Sequence, residues 1–146
     1  MYTHLMNTVD FNECMLCACF SARKTARLLT QYFDRYLRPT GLRATQFTVL
    51  VALIQFGQPV QLNMIAEVLG MERTTLTRNL RHLEEKGLIG TESGSDRRVK
   101  LISITERGKE MAKQVFPTWK QAQEEIARYI SPQQLQQFAT IAAGIS

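Results

Sequence analysis

The chain has 146 residues, 45% of them hydrophobic, enough for one domain with a buried core. Lys and Arg outnumber Asp and Glu by 18 to 13, giving a net charge of +5 and a pI near 9.4, which suits a polyanionic partner without requiring one. Three cysteines confined to Cys14, Cys17 and Cys19 argue against a secreted disulfide framework, the opening MYTHLMNTVDFNE shows no basic leader, and the apolar run Cys14–Phe20 is too short to span a bilayer. A cytoplasmic, reduced protein with no membrane partner is therefore expected.

In chain order, Asn12 to Leu37 reads as a helix capped by Asn12. Ala22, Ala26, Leu29, Phe33 and Tyr36 form its apolar stripe, and Pro39-Thr40-Gly41 ends it. Ala44 to Phe56 is a second helix, with Thr45 as its expected cap and Phe47, Leu50, Val51 and Ile54 facing inward; Gly57 and Pro59 stop it. Leu62 to Leu69 is a short third helix with Ile65, Ala66 and Leu69 inward, ended by Gly70. Glu72 to Lys86 follows almost at once, with Leu76, Leu80 and Leu83 on one side and Gly87 at its close. Two helices joined by one glycine-containing turn, the second amphipathic and rich in arginine, form a helix-turn-helix candidate.

From Leu88 to Ser103 the period changes to two, around the turn composition Ser93-Gly94-Ser95-Asp96, which predicts a β-hairpin. Thr105 is placed to cap the next helix, with Glu106 at the positive end of its dipole. That helix carries Met111, Val115, Trp119, Ala122, Ile126 and Tyr129 on one stripe, and Pro117 is expected to kink or break it. Ser131-Pro132-Gln133-Gln134 starts a last helix bearing Leu135, Phe138, Ile141, Ala142 and Ile145. The long amphipathic ends have no sheet to cover them, so a homodimer built from the terminal helices is expected.

The 72–86 helix sets Thr74, Arg78 and Arg81 roughly opposite its leucines, with Thr75 and Thr77 beside them and Arg73 in the first turn. Arginine grips guanine O6 and N7 with two hydrogen bonds, threonine contacts a thymine methyl or a phosphate, and a helix N-terminus attracts phosphate. At the hairpin tip, Asp96 and Arg98 are two apart, so an extended backbone would put them on one side. The carboxylate would then aim a guanidinium into a narrow minor groove, with Arg97 alongside. Bulk charge is not the signal: residues 72–100 hold seven basic against five acidic side chains, while residues 16–45 hold Arg23, Lys24, Arg27, Arg35, Arg38 and Arg43 against Asp34 alone. Placement of a few arginines must carry the contact.

The runs GMERTTLTRNL (70–80), EEKGLI (84–89) and DRRVKLISIT (96–105) resemble the MarR family of bacterial transcription regulators. The likeness extends over Asn12 to Ile130, and its specific part is Asp96, Arg98, Thr105 and Gly108 at their spacing. The resemblance implies a mainly α fold with a small β-hairpin wing: a six-helix winged helix-turn-helix protomer, dimerised through its first, fifth and sixth helices. On that reading residues 1–146 are a single chain of this type, with a DNA-binding lobe at 44–104 and a helical dimerisation region at 12–38 and 105–146. The implied partner is double-stranded DNA carrying a pseudo-palindromic operator, with 72–86 as recognition helix and Arg98 as the minor-groove arginine held by Asp96. Gln61, where the family commonly has a hydroxyl cap, and Glu72, where aspartate is usual, are departures that weaken two helix starts.

The resemblance also implies repression relieved by a small, often aromatic effector bound between the dimer helices and the lobe; Phe33, Tyr36, Phe47, Met64 and Trp119 are candidate linings. An alternative is oxidant sensing through Cys14, Cys17 and Cys19 near a helix start, where the dipole favours thiolate. Cys19 aligns with the reactive position of the family's peroxide sensors, but the positions of their thiol-holding tyrosines carry Phe33 and Ala44 here. Small apolar packing at an interface is the simpler account of the three cysteines. A winged-helix module used for protein contacts is the reading of another class. Nothing supports catalysis: there are two histidines, no glycine-rich phosphate loop and no Ser/His/Asp layout. Neither a cofactor nor a metal is expected, since the cysteines with His4 lack a second matched pair and His82 falls on the recognition helix.

Overall fold

The structure, a computed structural model, describes residues 9–146. The first eight residues, on which the leader reading and His4 fall, lie outside the described residues. The order is a 3-10 turn at Phe11–Leu16, α1 (Ala18–Leu37), a short 3-10 turn at Arg38–Thr40, α2 (Ala44–Phe56), β1 (Val60–Gln61), α3 (Leu62–Leu69), α4 (Arg73–Glu85), β2 (Ile89–Ser93), β3 (Lys100–Ile104), α5 (Glu106–Ile126) and α6 (Pro132–Ile145). The fold is mainly helical, with a three-stranded antiparallel sheet in the order β1-β3-β2. Among the described residues no helix is long and apolar enough to cross a membrane.

The core is built where the helix-turn-helix meets the sheet and α5. Leu50 of α2, Ile65 of α3, and Leu76 and Leu83 of α4 are fully buried, and Ile89 and Ile102 of the hairpin and Val115 of α5 close the same cluster. The leucine stripe of α4 is thus its buried face. Side chains on it interdigitate with α2 and α3, and each such burial is worth about 1.5–3 kcal/mol. In the hairpin, Ile89 pairs with Ile104 and Thr91 with Ile102, so the period of two seen in sequence is the period of the sheet. β1 was not foreseen: two residues are too few to show a period, yet Val60 and Gln61 pair with Ile102 and Leu101 and tie the start of α3 to the wing.

Several helix starts differ from expectation. Asn12 does not cap α1; Asp10 accepts the Asn12 N–H at 3.0 Å, starting a 3-10 turn, and α1 begins only after Cys17. Thr45 does not cap α2. The Asp34 carboxylate of α1 reaches across to accept the Ala44 N–H at 2.7 Å, and Gln46 folds back to accept the Arg43 N–H at 3.1 Å. With those donors satisfied, one by a residue ten positions earlier and one by the local Gln46, Thr45 is released for another bond. Neither Gln61 nor Glu72 makes a side-chain cap, in line with their weak capping chemistry.

Ile54, expected inward, is exposed: the buried face of α2 is turned towards Gln46, Val49, Ala52 and Leu53, which join Phe47 and Leu50. Pro117 does not break α5, which runs unbroken from Glu106 to Ile126. Pro117 and Lys113, one turn earlier, are both exposed, so water can satisfy the carbonyl that loses its amide partner. Tyr129 drops out of the α5 stripe because the helix ends first and leaves it in a turn, 78% exposed. The start of α6 follows expectation: the Ser131 hydroxyl accepts the Gln134 N–H at 3.1 Å, and the Gln134 side-chain oxygen accepts the Ser131 N–H at 2.9 Å.

Candidate nucleic-acid interface

A helix that buries one stripe must show the other, and α4 does. Arg73, Thr74, Thr75, Thr77, Arg78 and Arg81 are all exposed while Leu76, Leu80 and Leu83 are buried. The helix is entered through a turn at Gly70, whose φ of +59° is the left-handed conformation that L side chains adopt only with strain. Because Glu72 makes no side-chain cap, the first-turn amides of α4 have no side-chain partner among the described residues, at the positive end of the dipole. Arg73 stands in that first turn.

The wing loop runs from Gly94 to Val99. Its neck is closed by the Gly94 N–H on the Val99 carbonyl at 2.9 Å, and its tip by the Val99 N–H on the Asp96 carbonyl at 3.0 Å. Asp96, Arg97 and Arg98 are exposed on it. The expected Asp96–Arg98 side-chain pair is not what the loop contains. The Asp96 carboxylate accepts the Arg98 backbone N–H at 3.1 Å, and the ion pairs among the described residues lie elsewhere, on α4, α5 and the turn after α5. Residues 96–99 form a turn instead of an extended strand, so the aspartate fixes the loop's backbone and leaves the guanidinium of Arg98 free. Sequence spacing gave the partner correctly and the atom incorrectly.

The hairpin and α4 are held together from behind. At Gly87, φ +73°, α4 turns into β2; the Thr105 hydroxyl donates to the Gly87 carbonyl at 2.8 Å and accepts the Gly108 N–H at 3.0 Å, while the Thr105 N–H donates to the Leu88 carbonyl at 3.1 Å. Gly108 is buried so close that an added Cβ would fall 2.1 Å from the Leu88 oxygen. One threonine and one glycine thus pin the start of α5 to the point where α4 meets the wing. At the same end, Lys86 donates to the Gly41 carbonyl at 2.6 Å.

Asn79 is the polar residue that sequence reading passed over. It sits on the inward side of α4, 7% exposed. Its side-chain nitrogen donates to the Thr75 carbonyl at 3.1 Å, and its oxygen accepts the Thr45 hydroxyl at 3.2 Å. One signal was available: at 100° per residue, position 79 falls about 40° beyond Leu83, on the edge of the apolar stripe and away from the exposed arginines.

Of the candidate effector linings, the structure brings Phe47 and Trp119 together, with ring centroids 6.3 Å apart and Phe116 stacked on Trp119 at 5.8 Å. Phe47, Val51 and Phe116 line an open groove between α2 and α5 of about 470 Å³, with Glu106, Lys109, Glu110 and Lys113 along it, and the same three residues with Trp119 line the adjoining pocket of about 250 Å³. Phe33 is elsewhere, in a groove among α1, α5 and α6; Tyr36 packs against Tyr32; Met64 is exposed on α3. Burial, with the neighbouring Tyr36 hydroxyl, pushes the Tyr32 phenol up to about 12, and its hydroxyl donates to the Ala122 carbonyl at 3.2 Å, joining α1 to α5. Cys14, Cys17 and Cys19 are all free and exposed at the junction of the first 3-10 turn and α1.

Residues 40–99 match the family model described as the MarR family. The transcriptional regulator MosR of M. tuberculosis, solved in complex with DNA, is similar at 34% identity and a TM-score of 0.77, over 88% of this chain and 96% of that one. MosR solved in a second structure matches at 33% identity and a TM-score of 0.79, over 93% and 98%. CouR of Rhodococcus jostii, bound to p-coumaroyl-CoA, shares the fold at 23% identity and a TM-score of 0.72, over 87% and 89%.

Proposed function

Because this chain belongs to the MarR family, a family of transcription regulators and not of enzymes, we propose that it is a sequence-specific repressor that binds a pseudo-palindromic operator as a homodimer. The observation that carries the reading is the division of α4 into a buried leucine face and an exposed face of Thr74, Thr75, Thr77, Arg78 and Arg81, beside a wing that offers Arg97 and an unpaired Arg98. Arg78 and Arg81 enter the major groove. Arg73 and the bare N-terminus of α4 hold phosphate, and Arg98 reaches the adjacent minor groove from a loop stiffened by Asp96. MosR, the relative crystallised with DNA, supports the same partner here. Residues 44–104 are the reading lobe, and α1, α5 and α6 supply the dimer.

Release follows from a ligand that binds the DNA-incompetent arrangement better than the competent one. The α2–α5 groove, with Phe47, Val51 and Phe116 and the adjoining Trp119, suits a small aromatic body; its polar rim is mixed, with Glu106 and Glu110 beside Lys113 and a Lys109 already paired to Glu106. It lies between the lobe and the terminal helices, where an occupant changes their relative tilt.

A second reading rests on Cys14, Cys17 and Cys19 being free, exposed and close in sequence: peroxide would oxidise two thiols to a disulfide, itself reduced to water, and distort the start of α1. Titrating DNA binding with peroxide in the wild type and a triple serine variant separates the two; identical curves end the redox reading. Selection of bound duplexes from a random pool at fixed salt tests the main proposal. Two inverted half-sites about one helical turn apart are expected. A pool without enrichment would leave a winged-helix module that contacts protein instead.

A further inference from the structure

We propose that Asn79 is a positioning residue for sequence readout, the last member of a polar chain running from α1 through the start of α2 to the recognition helix. The proposal rests on the operator-binding reading above. Asn79 and Gln46 are the buried polar side chains of the described residues, 7% and 6% exposed, and both belong to the same small region. A buried carboxamide costs free energy unless its donors and acceptor are matched, and an apolar residue would fill the site with less demand. Here the matching is specific. A carbonyl can only accept, so the Asn79 nitrogen must face the Thr75 carbonyl, 3.1 Å away, which leaves its oxygen for the Thr45 hydroxyl at 3.2 Å.

Thr45 is free for this because it is relieved of capping. Asp34 of α1 takes the Ala44 N–H at 2.7 Å and Gln46 takes the Arg43 N–H at 3.1 Å. The contrast with Thr48 is informative: that hydroxyl bonds back to its own helix, on the Ala44 carbonyl at 2.9 Å, whereas Thr45 reaches outside α2 to Asn79. Adjacent residues 44 and 45 are therefore tied in opposite directions, Ala44 to α1 and Thr45 to α4. Thr75, at the far end, has its backbone held by Asn79 and its side chain on the exposed reading face.

Apolar contacts through Leu76, Leu80 and Leu83 hold α4 in place but tolerate small rolls about its axis, because they are not directional. The bond from the Thr45 hydroxyl to the buried Asn79 oxygen is directional and sets that roll, while the bond to the Thr75 carbonyl within α4 fixes the amide's own orientation. In a dimer, a roll error in each protomer displaces both reading faces, and half-sites one turn apart leave no slack. The chain Asp34–Ala44/Thr45–Asn79 thus sets the angle of the reading face against α1, and with it the half-site spacing the dimer accepts.

The test uses the full chain, the duplex enriched by selection, the same duplex with its spacer lengthened or shortened by one base pair, and a random duplex, at one salt concentration. Thr45→Val and Asn79→Leu should each lower the operator-to-random affinity ratio tenfold or more and flatten the spacing dependence. Random-duplex affinity and its salt slope should stay, because the phosphate contacts are untouched. Thr45→Ser should restore the ratio, and the double variant should be no worse than the poorer single one. A folded Thr45→Val protein with the wild-type ratio and spacing profile overturns the proposal. So does a parallel loss of operator and random affinity, which would mark a general structural role. Should Asn79→Leu fail to fold, Thr45→Val, at a partly exposed position, carries the test alone. A wild type that enriches no sequence would instead defeat the operator reading itself.

Discussion

From α2 to the end of the hairpin, each helix turns its apolar face onto a neighbour: Leu50, Ile65, Leu76 and Leu83 are fully buried within one chain. The ends of the molecule behave differently. Along α1 and α6, Phe20, Leu28, Leu135, Phe138 and Ile141 are 44–58% exposed, and α6 buries no residue at all. The central lobe gets its shape from contacts it makes itself, whereas the end helices hold a surface that makes sense only when something covers it. Reading and assembly are thereby separable: substitutions in one region should leave the other largely intact.

The strongest way to break that division is to charge the uncovered face. Phe138→Asp together with Ile141→Asp places four carboxylates in the proposed dimer interface. Each lost apolar burial is worth about 1.5–3 kcal/mol, so at least roughly 6 kcal/mol disappears and the dimer dissociation constant rises ~10⁴-fold or more. Sedimentation equilibrium should then find monomers whose helical circular dichroism is nearly unchanged. A dimer of wild-type affinity would show that another surface pairs the chains.

The next effect tests the seam between the two regions. In Gly108→Ala the new methyl would meet the Leu88 oxygen at 2.1 Å and Ile104 at 2.7 Å, both parts of the packed interior. Overpacking of this kind costs about 1–3 kcal/mol, and backbone on one side leaves little room to relax. Urea unfolding measures it, and a loss below ~0.5 kcal/mol would mean that α5 is not pinned at the wing as described.

Substitutions on the exposed reading face should act on binding alone. Arg98→Ala is expected to lose about 1–3 kcal/mol of operator affinity with unchanged unfolding, and unchanged affinity would remove the wing from the mechanism. Arg78→Ala should relax base preference; an equal loss on all duplexes would make Arg78 a phosphate contact.

The same division explains what could be read in the sequence. Periodicity is a local signal, and it located α2, α3, α4, the hairpin and the leucine stripe because each lies within one element. Turn and cap chemistry worked where the partner is three residues away, as at Ser131 with Gln134 and Thr105 with Gly108. It failed at Thr45, because the residue that serves α2 is Asp34, ten positions earlier on another helix. It failed for β1, which exists only because Ile102 and Leu101 are there to pair with it. At the wing, spacing identified Asp96 and Arg98 as a unit, but only the turn decides that the bond goes to the backbone amide. The exposed set proposed to face DNA was legible because it is the complement of the leucine stripe. The polar chain behind it was not, since tertiary hydrogen bonds leave no period.

The smallest predicted effect lies where α1 crosses α5, the contact that belongs to both regions. Tyr32 loses its proton at about 12 in the folded chain against 10.0 for a free phenol, first through burial and then through Tyr36. A folded-state value raised in this way stabilises the fold fully below pH 10, and the contribution is lost as pH climbs from 10 towards 12. Tyr32→Phe should remove that part of the alkaline fall in stability. At neutral pH the lost bond to the Ala122 carbonyl should cost about 0.5–1.5 kcal/mol. Denaturant unfolding at pH 7, 10 and ~11.5, read beside phenolate absorbance, compares the two proteins. Parallel stability curves over that range would mean that the Tyr32 hydroxyl is hydrated and titrates like any surface tyrosine, and that the α1–α5 contact is held by its apolar side chains alone.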